Sequence, residues 1–175
     1  MLRTERLLLR KPTLDDAERA GWLTDPDVMR WLGGIDPPAE VVRRWVEDWD
    51  VYPVGKFIVE RDGAVIGRVG FNFYDPVRWA RSTAPDSVPE LGWALARGHW
   101  GHGYATEAAA AVRDWFGGSR VISLIAPDNL RSQRVAGRLG AVPTESVTLS
   151  DSSEAVVWLH PRRSRPSASS SADRG

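Results

Sequence analysis

The sequence contains no cysteine, and this absence excludes several kinds of site. Without thiols the chain has no disulfides, no thiolate metal ligands and no cysteine nucleophile. Because it has only three histidines, we expect no metal site. The 23 basic and 23 acidic residues cancel, so no overall field favours nucleic acid or an anionic membrane, and we expect neither as a partner. Any anion site must therefore be local.

Length and composition indicate one ordinary domain. The chain has 175 residues, of which 42% are hydrophobic. It lacks an apolar run approaching 18 residues and a signal-peptide pattern, so we expect a soluble, cytoplasmic protein. Residues 162–175 contain no large apolar side chain and cannot bury enough surface to offset ordering entropy. We predict a folded domain over residues 1–161 and a disordered Arg/Ser/Pro tail over 162–175.

Hydrophobic patterns predict a mixed α/β fold. A strand at 7–10 precedes two helices, of which the second repeats apolar residues at helical spacing over 42–49. The pair at 62–63, Asp-Gly between β-type runs, predicts a hairpin. A long irregular loop at 75–89 is followed by a strand, helix, strand, helix series and by a closing hairpin at 147–159. These elements predict a mixed sheet with helices.

The most informative segment is a glycine-rich loop between a predicted strand at 91–96 and a predicted helix at 108–116. It contains Gly98, Gly101 and Gly103. Glycines let several N–H groups turn toward one point, and the start of the helix adds about half a positive charge. Such a loop favours a pyrophosphate. A tight turn without any ligand explains the glycines equally well.

Two families of phosphate-binding loop fit this segment poorly. A Walker loop needs Gly-Lys-Ser/Thr, whereas Tyr104 follows Gly103 here. In a dinucleotide-binding loop, Gly101 and Gly103 would match, Asp128 would suit a ribose, and Thr106 stands where the third glycine belongs. Such a loop is expected in the first unit of a parallel sheet, but a strand, two helices and a hairpin precede this one. Dinucleotide binding remains an alternative.

A third comparison covers nearly the whole chain. Residues 100–108 read W-G-H-G-Y-A-T-E-A and resemble the W-G-x-G-Y-A-T-E-A signature of the GNAT acetyltransferase superfamily, in its branch of ribosomal-protein N-terminal acetyltransferases. T-E-R-L-L-L-R at 4–10, P-E-L-G at 89–92 and N-L-R-S at 129–132 are similar to that branch in order and spacing. The resemblance implies a mostly antiparallel sheet with splayed central strands, flanked by helices.

The resemblance also implies acetyl-CoA as co-substrate. Its pantetheine arm would lie against the strand at 93–95 and its pyrophosphate on the loop at 98–105. Gly98 departs from the family, which often has Gln or Arg there. The implied coenzyme-binding residues are Trp93, Ala94, Leu95, Gly98, His99, Trp100, Gly101, His102, Gly103, Tyr104, Ala105, Thr106, Asn129, Ser132 and Arg134.

Two residues are predicted to be catalytic. An amine must lose a proton before it attacks a carbonyl, and Glu90 is the candidate base because relatives carry a catalytic Glu at its position. An exposed Glu at a strand edge is the alternative, as is a base that acts through water. Ser132 matches the family's N-x-x-S, in which the hydroxyl is the proposed acid for the coenzyme sulfur; the alternative is that it only completes the helix start with Asn129.

The predicted function is acetyl transfer to a primary amine by direct attack in a ternary complex, since no cysteine can carry an acetyl group. The resemblance favours a protein N-terminal α-amine as acceptor, and a small amine would use the same machinery. Trp31, Tyr74 and Trp79 are candidates for an acceptor pocket. A non-catalytic acyl-CoA sensor or regulatory protein is the alternative, and a homodimer remains open.

Overall fold

The computed structural model describes residues 1–32, 36–118 and 120–161, so the predicted tail at 162–175 lies outside the described residues. The strands are β1 Leu2–Arg3, β2 Leu8–Arg10, β3 Lys56–Arg61, β4 Ala64–Tyr74, β5 Val88–Leu95, β6 Ile122–Ile125, β7 Val142–Thr148 and β8 Glu154–Leu159. The helices are α1 Asp16–Arg19, α2 Pro26–Met29, α3 Pro38–Val51, α4 Tyr104–Phe116 and α5 Leu130–Arg138, with 3-10 turns at Gly21–Thr24 and Arg97–His99.

The described strands form one sheet in the order β1-β2-β3-β4-β5-β6-β8-β7. All neighbours pair antiparallel except β5 and β6, which run parallel. The parallel contact consists of a single register pair, Glu90 with Ile122, although β5 continues to Leu95. The two central strands therefore diverge beyond Glu90. This confirms the predicted mixed, mostly antiparallel sheet with splayed central strands.

Local sequence signals explain several element boundaries. The β3–β4 hairpin turns at Asp62 and Gly63, which both have positive φ, as the Asp-Gly pair predicts. Helix α4 ends at Gly117 in the left-handed conformation that glycine adopts most readily. Asn129 caps α5 through a side-chain bond from the Ser132 N–H. These signals set one end each of α4 and α5, the helices next to the point where β5 and β6 diverge.

The sheet carries hydrophobic cores on both faces. One contains Phe57, Val69 and Phe71 together with the buried face of α4. The other packs Trp22, Trp45 and neighbouring residues of the first helices against the opposite face. Among the described residues, no helix is long and apolar enough to cross a membrane. The divergence of β5 and β6 thus opens a gap within an otherwise packed sheet.

Candidate active site

A cleft of about 550 Å³ lies where β5 and β6 diverge. Gly98 and His102 do not line it: the His102 ring stacks on Tyr104, and its carbonyl accepts a hydrogen bond from Arg6 at 3.1 Å. The cleft therefore collects most, but not all, of the predicted coenzyme-binding residues. Those that line it are Trp93, Ala94, Leu95, His99, Trp100, Gly101, Gly103, Tyr104, Ala105, Thr106, Asn129, Ser132 and Arg134.

The glycine-rich loop presents unpaired N–H groups at the start of α4. Gly101 and Gly103 have φ of +81° and +82°, a conformation that side chains with a Cβ rarely adopt. Within the described chain, the N–H groups of residues 101–106 donate no hydrogen bond, and the first helical bond near the loop comes from Glu107 to Gly103 at 3.0 Å. Free N–H groups and the helix dipole together favour an anion at this end of the cleft.

Side chains around the same end add further polar groups. The Thr106 hydroxyl is buried and has no hydrogen-bond partner in the described chain. Arg131 and Arg138 join Arg134 in the cleft wall, and the Arg131 guanidinium lies 4.3 Å from the centre of the Trp100 ring. From the sequence, Arg131 is a candidate with Arg134 for the coenzyme's outer phosphate, whereas Arg138 was not predicted, because an exposed helix arginine gives no distinctive sequence signal. This end of the cleft suits a ligand with several negative charges.

The edge of β5 that faces the gap also offers backbone groups. The Ala96 N–H donates to the Ile66 carbonyl on β4. N–H groups two residues apart on a strand point in the same direction, so the Ala94 N–H also faces β4. Leu91 faces the gap, since its carbonyl accepts from the Ser123 hydroxyl at 2.6 Å. By the same alternation the N–H groups of Trp93 and Leu95 point into the cleft. An extended amide-bearing ligand could pair with them.

Glu90 sits where the strands begin to diverge and is only 6% exposed. Its carboxylate accepts a 2.9 Å hydrogen bond from the Asn72 amide and another from the Leu124 N–H. Burial raises the pKa of Glu90 above its ordinary value of 4.5, although Asn72 and the Arg68 charge act in the opposite direction. The carboxylate is therefore buried in the cleft wall, not exposed at a strand edge, and a raised pKa makes it a stronger base.

A buried polar network continues behind Glu90. The Lys56 ammonium donates a hydrogen bond to the Asn72 side-chain oxygen and lies 2.6 Å from Asp48 of α3. Burial lowers the pKa of Lys56 to about 8, more than Asp48 raises it. Sequence reasoning missed Lys56 and Asn72, and the available signal was a polar residue within each of two apolar strand patterns. The network orders the amide that holds Glu90.

Ser132 and Asn129 have different local roles. The Asn129 side-chain oxygen accepts the Ser132 N–H at 3.1 Å, which is a helix cap. The Ser132 hydroxyl lines the cleft and makes no hydrogen bond within the described chain. It is therefore free to meet a ligand, as the sequence prediction requires.

Glu107 anchors the loop from outside the cleft. Its carboxylate accepts bonds from the Thr4 hydroxyl at 2.5 Å and from the Arg6 Nε at 2.7 Å. Arg97, next to the loop, pairs with Asp27 at 2.8 Å. Glu107 thus joins the N-terminal T-E-R segment to the first turn of α4.

The three candidate acceptor aromatics separate in the structure. Trp31 and Tyr74 line the cleft, whereas Trp79 packs against a small cluster of Val88, Ile122 and Val157. The residues that the structure describes contain no cluster of three His, Asp or Glu side chains that could hold a metal.

Comparison with known proteins gives a consistent result. Residues 6–142 match the sequence model of the acetyltransferase (GNAT) domain. The chain is 34% identical over 154 residues to the uncharacterised protein YkkB of Bacillus subtilis, covering 78% of this chain and 82% of that protein. It is 30% identical over 151 residues to an uncharacterised N-acetyltransferase, p20, of Bacillus licheniformis, covering 79% and 80%.

A solved structure has the same fold at similar identity. The acetyltransferase from Agrobacterium tumefaciens superposes with a TM-score of 0.72 and 32% identity over 91% of this chain and 92% of that one. The aminoglycoside acetyltransferase AAC(6')-Ib, in complex with ribostamycin and coenzyme A, shares the fold with a TM-score of 0.74 at 22% identity, covering 94% and 100%. The family match, the curated relatives and the cleft agree, and the chain belongs to the GNAT acetyltransferase family.

Proposed function

We propose that the protein transfers the acetyl group of acetyl-CoA to a primary amine, within a ternary complex and through its 1–161 domain. The observation that carries this proposal is the gap between β5 and β6, which has free N–H groups at one end and buried Glu90 at its apex. Family membership and the coenzyme A complex of a fold neighbour support the same co-substrate.

The cleft has the groups that such a coenzyme requires. N–H groups of residues 101–106 suit the diphosphate, and the unpartnered Thr106 hydroxyl gives a buried polar atom that a ligand would satisfy. Arg131 and Arg134 supply positive charge for a further phosphate. The outward N–H groups of Trp93 and Leu95 are placed to bind an amide-bearing arm. The coenzyme brings an activated thioester to this edge of β5.

Glu90 then acts as the base for the acceptor. Its carboxylate takes a proton from the ammonium form of the amine, directly or through water, and leaves the neutral nucleophile. The Ser132 hydroxyl donates a hydrogen bond to the departing sulfur. The Leu95 N–H is positioned to stabilise the developing oxyanion, a contact typically worth about 3 kcal/mol. Since the chain has no cysteine, no acetyl group is carried on sulfur of the enzyme.

The sequence and the structure limit the identity of the acceptor amine less closely than they limit the identity of the coenzyme. A protein N-terminal α-amine remains the prediction of the resemblance to the ribosomal-protein branch, with a small amine as the second choice. An aminoglycoside acceptor is a polycation, and it is disfavoured because the described wall of the cavity behind Glu90 has one carboxylate, Asp36, and four cationic side chains: Arg44, Lys56, Arg68 and Arg81. Charge in this cavity therefore argues against an aminoglycoside acceptor.

Incubation of the full chain with acetyl-CoA and a panel of peptides, amino acids and small amines tests the proposal. Mass spectrometry should find an acetylated amine, and a thiol reagent should find an equal amount of released coenzyme A. Calorimetry should show that acetyl-CoA binds and that NAD does not. Binding of acetyl-CoA without any acetylated product would favour the non-catalytic sensor instead.

A further inference from the structure

A second cavity of about 220 Å³ adjoins the cleft and shares four lining residues with it: Leu32, Arg68, Asn72 and Tyr74. It lies between the face of β3 and β4 that carries Lys56 and the end of α2 with the start of α3. Pockets for drug-sized ligands have volumes of about 300–1,000 Å³, so this cavity suits a smaller molecule. Because the cavity meets the cleft at the residues around Glu90, it is suitably placed to hold the acceptor amine.

Charge in the cavity wall is mostly positive, with Asp36 as the one carboxylate among its described lining residues. Three of the four cations are already paired. Arg44 lies 2.8 Å from Asp36, Arg81 lies 2.8 Å from Asp48, and Lys56 lies 2.6 Å from Asp48. Arg68 is the fourth cation, and among the described residues no carboxylate oxygen lies within 4.0 Å of its guanidinium nitrogens.

The Arg68 guanidinium is unusual because its Nε and Nη1 atoms are buried and donate no hydrogen bond in the described chain. Glu90 compensates the Arg68 charge only through space, and buried donors without an acceptor are destabilising because their lost hydration is not replaced. A carboxylate is the natural partner, because its two oxygens match the guanidinium donors. The unpaired group therefore indicates an anionic ligand next to the base.

Arg68 and Glu90 converge over Gly92, whose lack of a side chain lets the two groups approach each other. A Cβ built on Gly92 would lie 2.9 Å from Arg68 Nη1 and 3.2 Å from Glu90 Oε1. An α-amino acid carries its amine and its carboxylate on one carbon. An amine near Glu90 therefore brings the carboxylate of the same molecule toward Arg68.

We propose that the acceptor is a small amine with a free carboxylate, of the α-amino acid type, and that Arg68 binds this carboxylate. This inference rests on the proposed acetyl transfer and narrows its acceptor. It differs from the resemblance-based prediction, because the α-amine of a protein N-terminus is followed by an amide and not by a carboxylate. Arg68 then sets specificity, while Glu90 remains the base.

Paired acceptors test the proposal: α-amino acids and the amides of the same amino acids, each assayed for coenzyme A release. We expect kcat/KM to be at least about tenfold higher for the free acids. Arg68→Met should raise KM for the acids and leave KM for the amides unchanged, and Arg68→Lys should retain part of the preference. Arg43→Met, on the exposed face of α3, is the matched control.

A binding measurement keeps the test independent of turnover. Calorimetry on protein saturated with coenzyme A should detect the acid, not the amide, and Arg68→Met should abolish that binding. The melting temperature of Arg68→Met, measured alongside, should show that the variant is folded. Equal use of acids, amides and peptides would overturn the carboxylate assignment and leave acetyl transfer intact. Binding of the acid without acetylation of any amine would instead contradict the transfer and keep the assignment.

Discussion

The Asn72 side-chain amide donates a 2.9 Å hydrogen bond to Glu90 Oε2 across the β4–β5 pair. The two residues are direct register partners, so the strands themselves fix this contact. On its other side, the Asn72 oxygen accepts from Lys56, and the amide is therefore held in one orientation. The base of the proposed reaction is oriented by the sheet and not by a flexible loop.

Replacement of Glu90 tests its role as base. Glu90→Gln keeps the size of the side chain and its place beside Asn72 but cannot accept a proton. We expect kcat to fall by about 10²–10⁴-fold while the Kd for acetyl-CoA is unchanged. In the wild type, activity should rise with pH as the carboxylate ionises, with an inflection above 4.5 because burial raises its pKa. Steady-state rates from pH 4.5 to 9, with calorimetry for coenzyme binding, measure both effects.

A wild-type inflection that persists unchanged in Glu90→Gln would assign the titration to another group. Equal rates of the two proteins at every pH would remove Glu90 from the mechanism. Glu145→Gln, an exposed residue of β7, is the matched control and should behave as wild type.

Asn72→Leu tests the positioning of the base. The substitution removes the bond that lowers the pKa of Glu90, so that pKa should rise further. The inflection in kcat should move to higher pH, and activity should largely recover at alkaline pH. A merely structural role would reduce activity equally at all pH values. Comparison of the full pH profile of the variant with that of the wild type distinguishes these results.

Much of the fold follows from local signals in the sequence. The Asp62-Gly63 turn, the Gly117 helix end and the Asn129 cap each have short-range causes, and the structure confirms the elements that they predict. Strand β1 and residues 142–146 of β7 were not predicted. β1 has only two residues, and β7 is almost entirely exposed, so neither shows an alternating pattern.

The site was predicted less completely, because its polar network depends on tertiary contacts. Glu90 follows from motif resemblance, but its burial depends on the approach of β4 and β6. Lys56 and Asn72 are far apart in the sequence, and only the strand register brings them together. No local pattern predicts that Arg68 is buried without a partner.

Gly103→Ala tests the phosphate end of the cleft. Gly103 caps α4 at φ +82°, and a Cβ there strains the backbone that presents the N–H groups; its nearest neighbour would be Arg6 Nη2 at 3.6 Å. We expect the Kd for acetyl-CoA to increase about tenfold, which corresponds to about 1.4 kcal/mol. Gly117→Ala is the matched control, since it introduces comparable strain at the other end of the same helix, at φ +65° with no atom within 4 Å. Calorimetry on both variants should find the weaker binding in Gly103→Ala alone; equal Kd values would argue against phosphate binding here.

Thr106→Val removes a buried hydroxyl that has no partner in the described chain. Valine has nearly the same shape, so the ligand-free protein should be equally or more stable, by up to about 1–3 kcal/mol. Affinity for acetyl-CoA should decrease, because the hydroxyl contributes only when a ligand accepts its hydrogen bond. Thermal unfolding with and without coenzyme measures both. A loss of ligand-free stability would show that the hydroxyl is satisfied within the protein.

His160 gives a prediction about stability. Burial, helped by the Arg113 charge, lowers its pKa from 6.5 to about 4. The folded state thus keeps the imidazole neutral at a pH where the unfolded chain binds a proton. Its contribution to the free energy of unfolding is complete above pH 6.5 and is lost as the pH falls toward 4, by about 3 kcal/mol in total. Urea unfolding at a series of pH values should show this decline.

Between pH 6.5 and 4.5 the comparison of the wild type with His160→Gln isolates the histidine, because Glu90, whose raised pKa also lies above 4.5, titrates in both proteins. Asp16, Glu60 and Glu107 have lowered pKa values, so the stability that they contribute is lost only as pH falls below about 4.5. His160→Gln should therefore remove the histidine's share of the fall in stability in this interval, and its amide can still bond the Ser123 hydroxyl, which lies 2.9 Å from His160 Nε2. His102→Gln, at an exposed ring, should keep the wild-type slope. If His160→Gln keeps that slope as well, the imidazole titrates normally and its buried position makes no contribution to acid sensitivity.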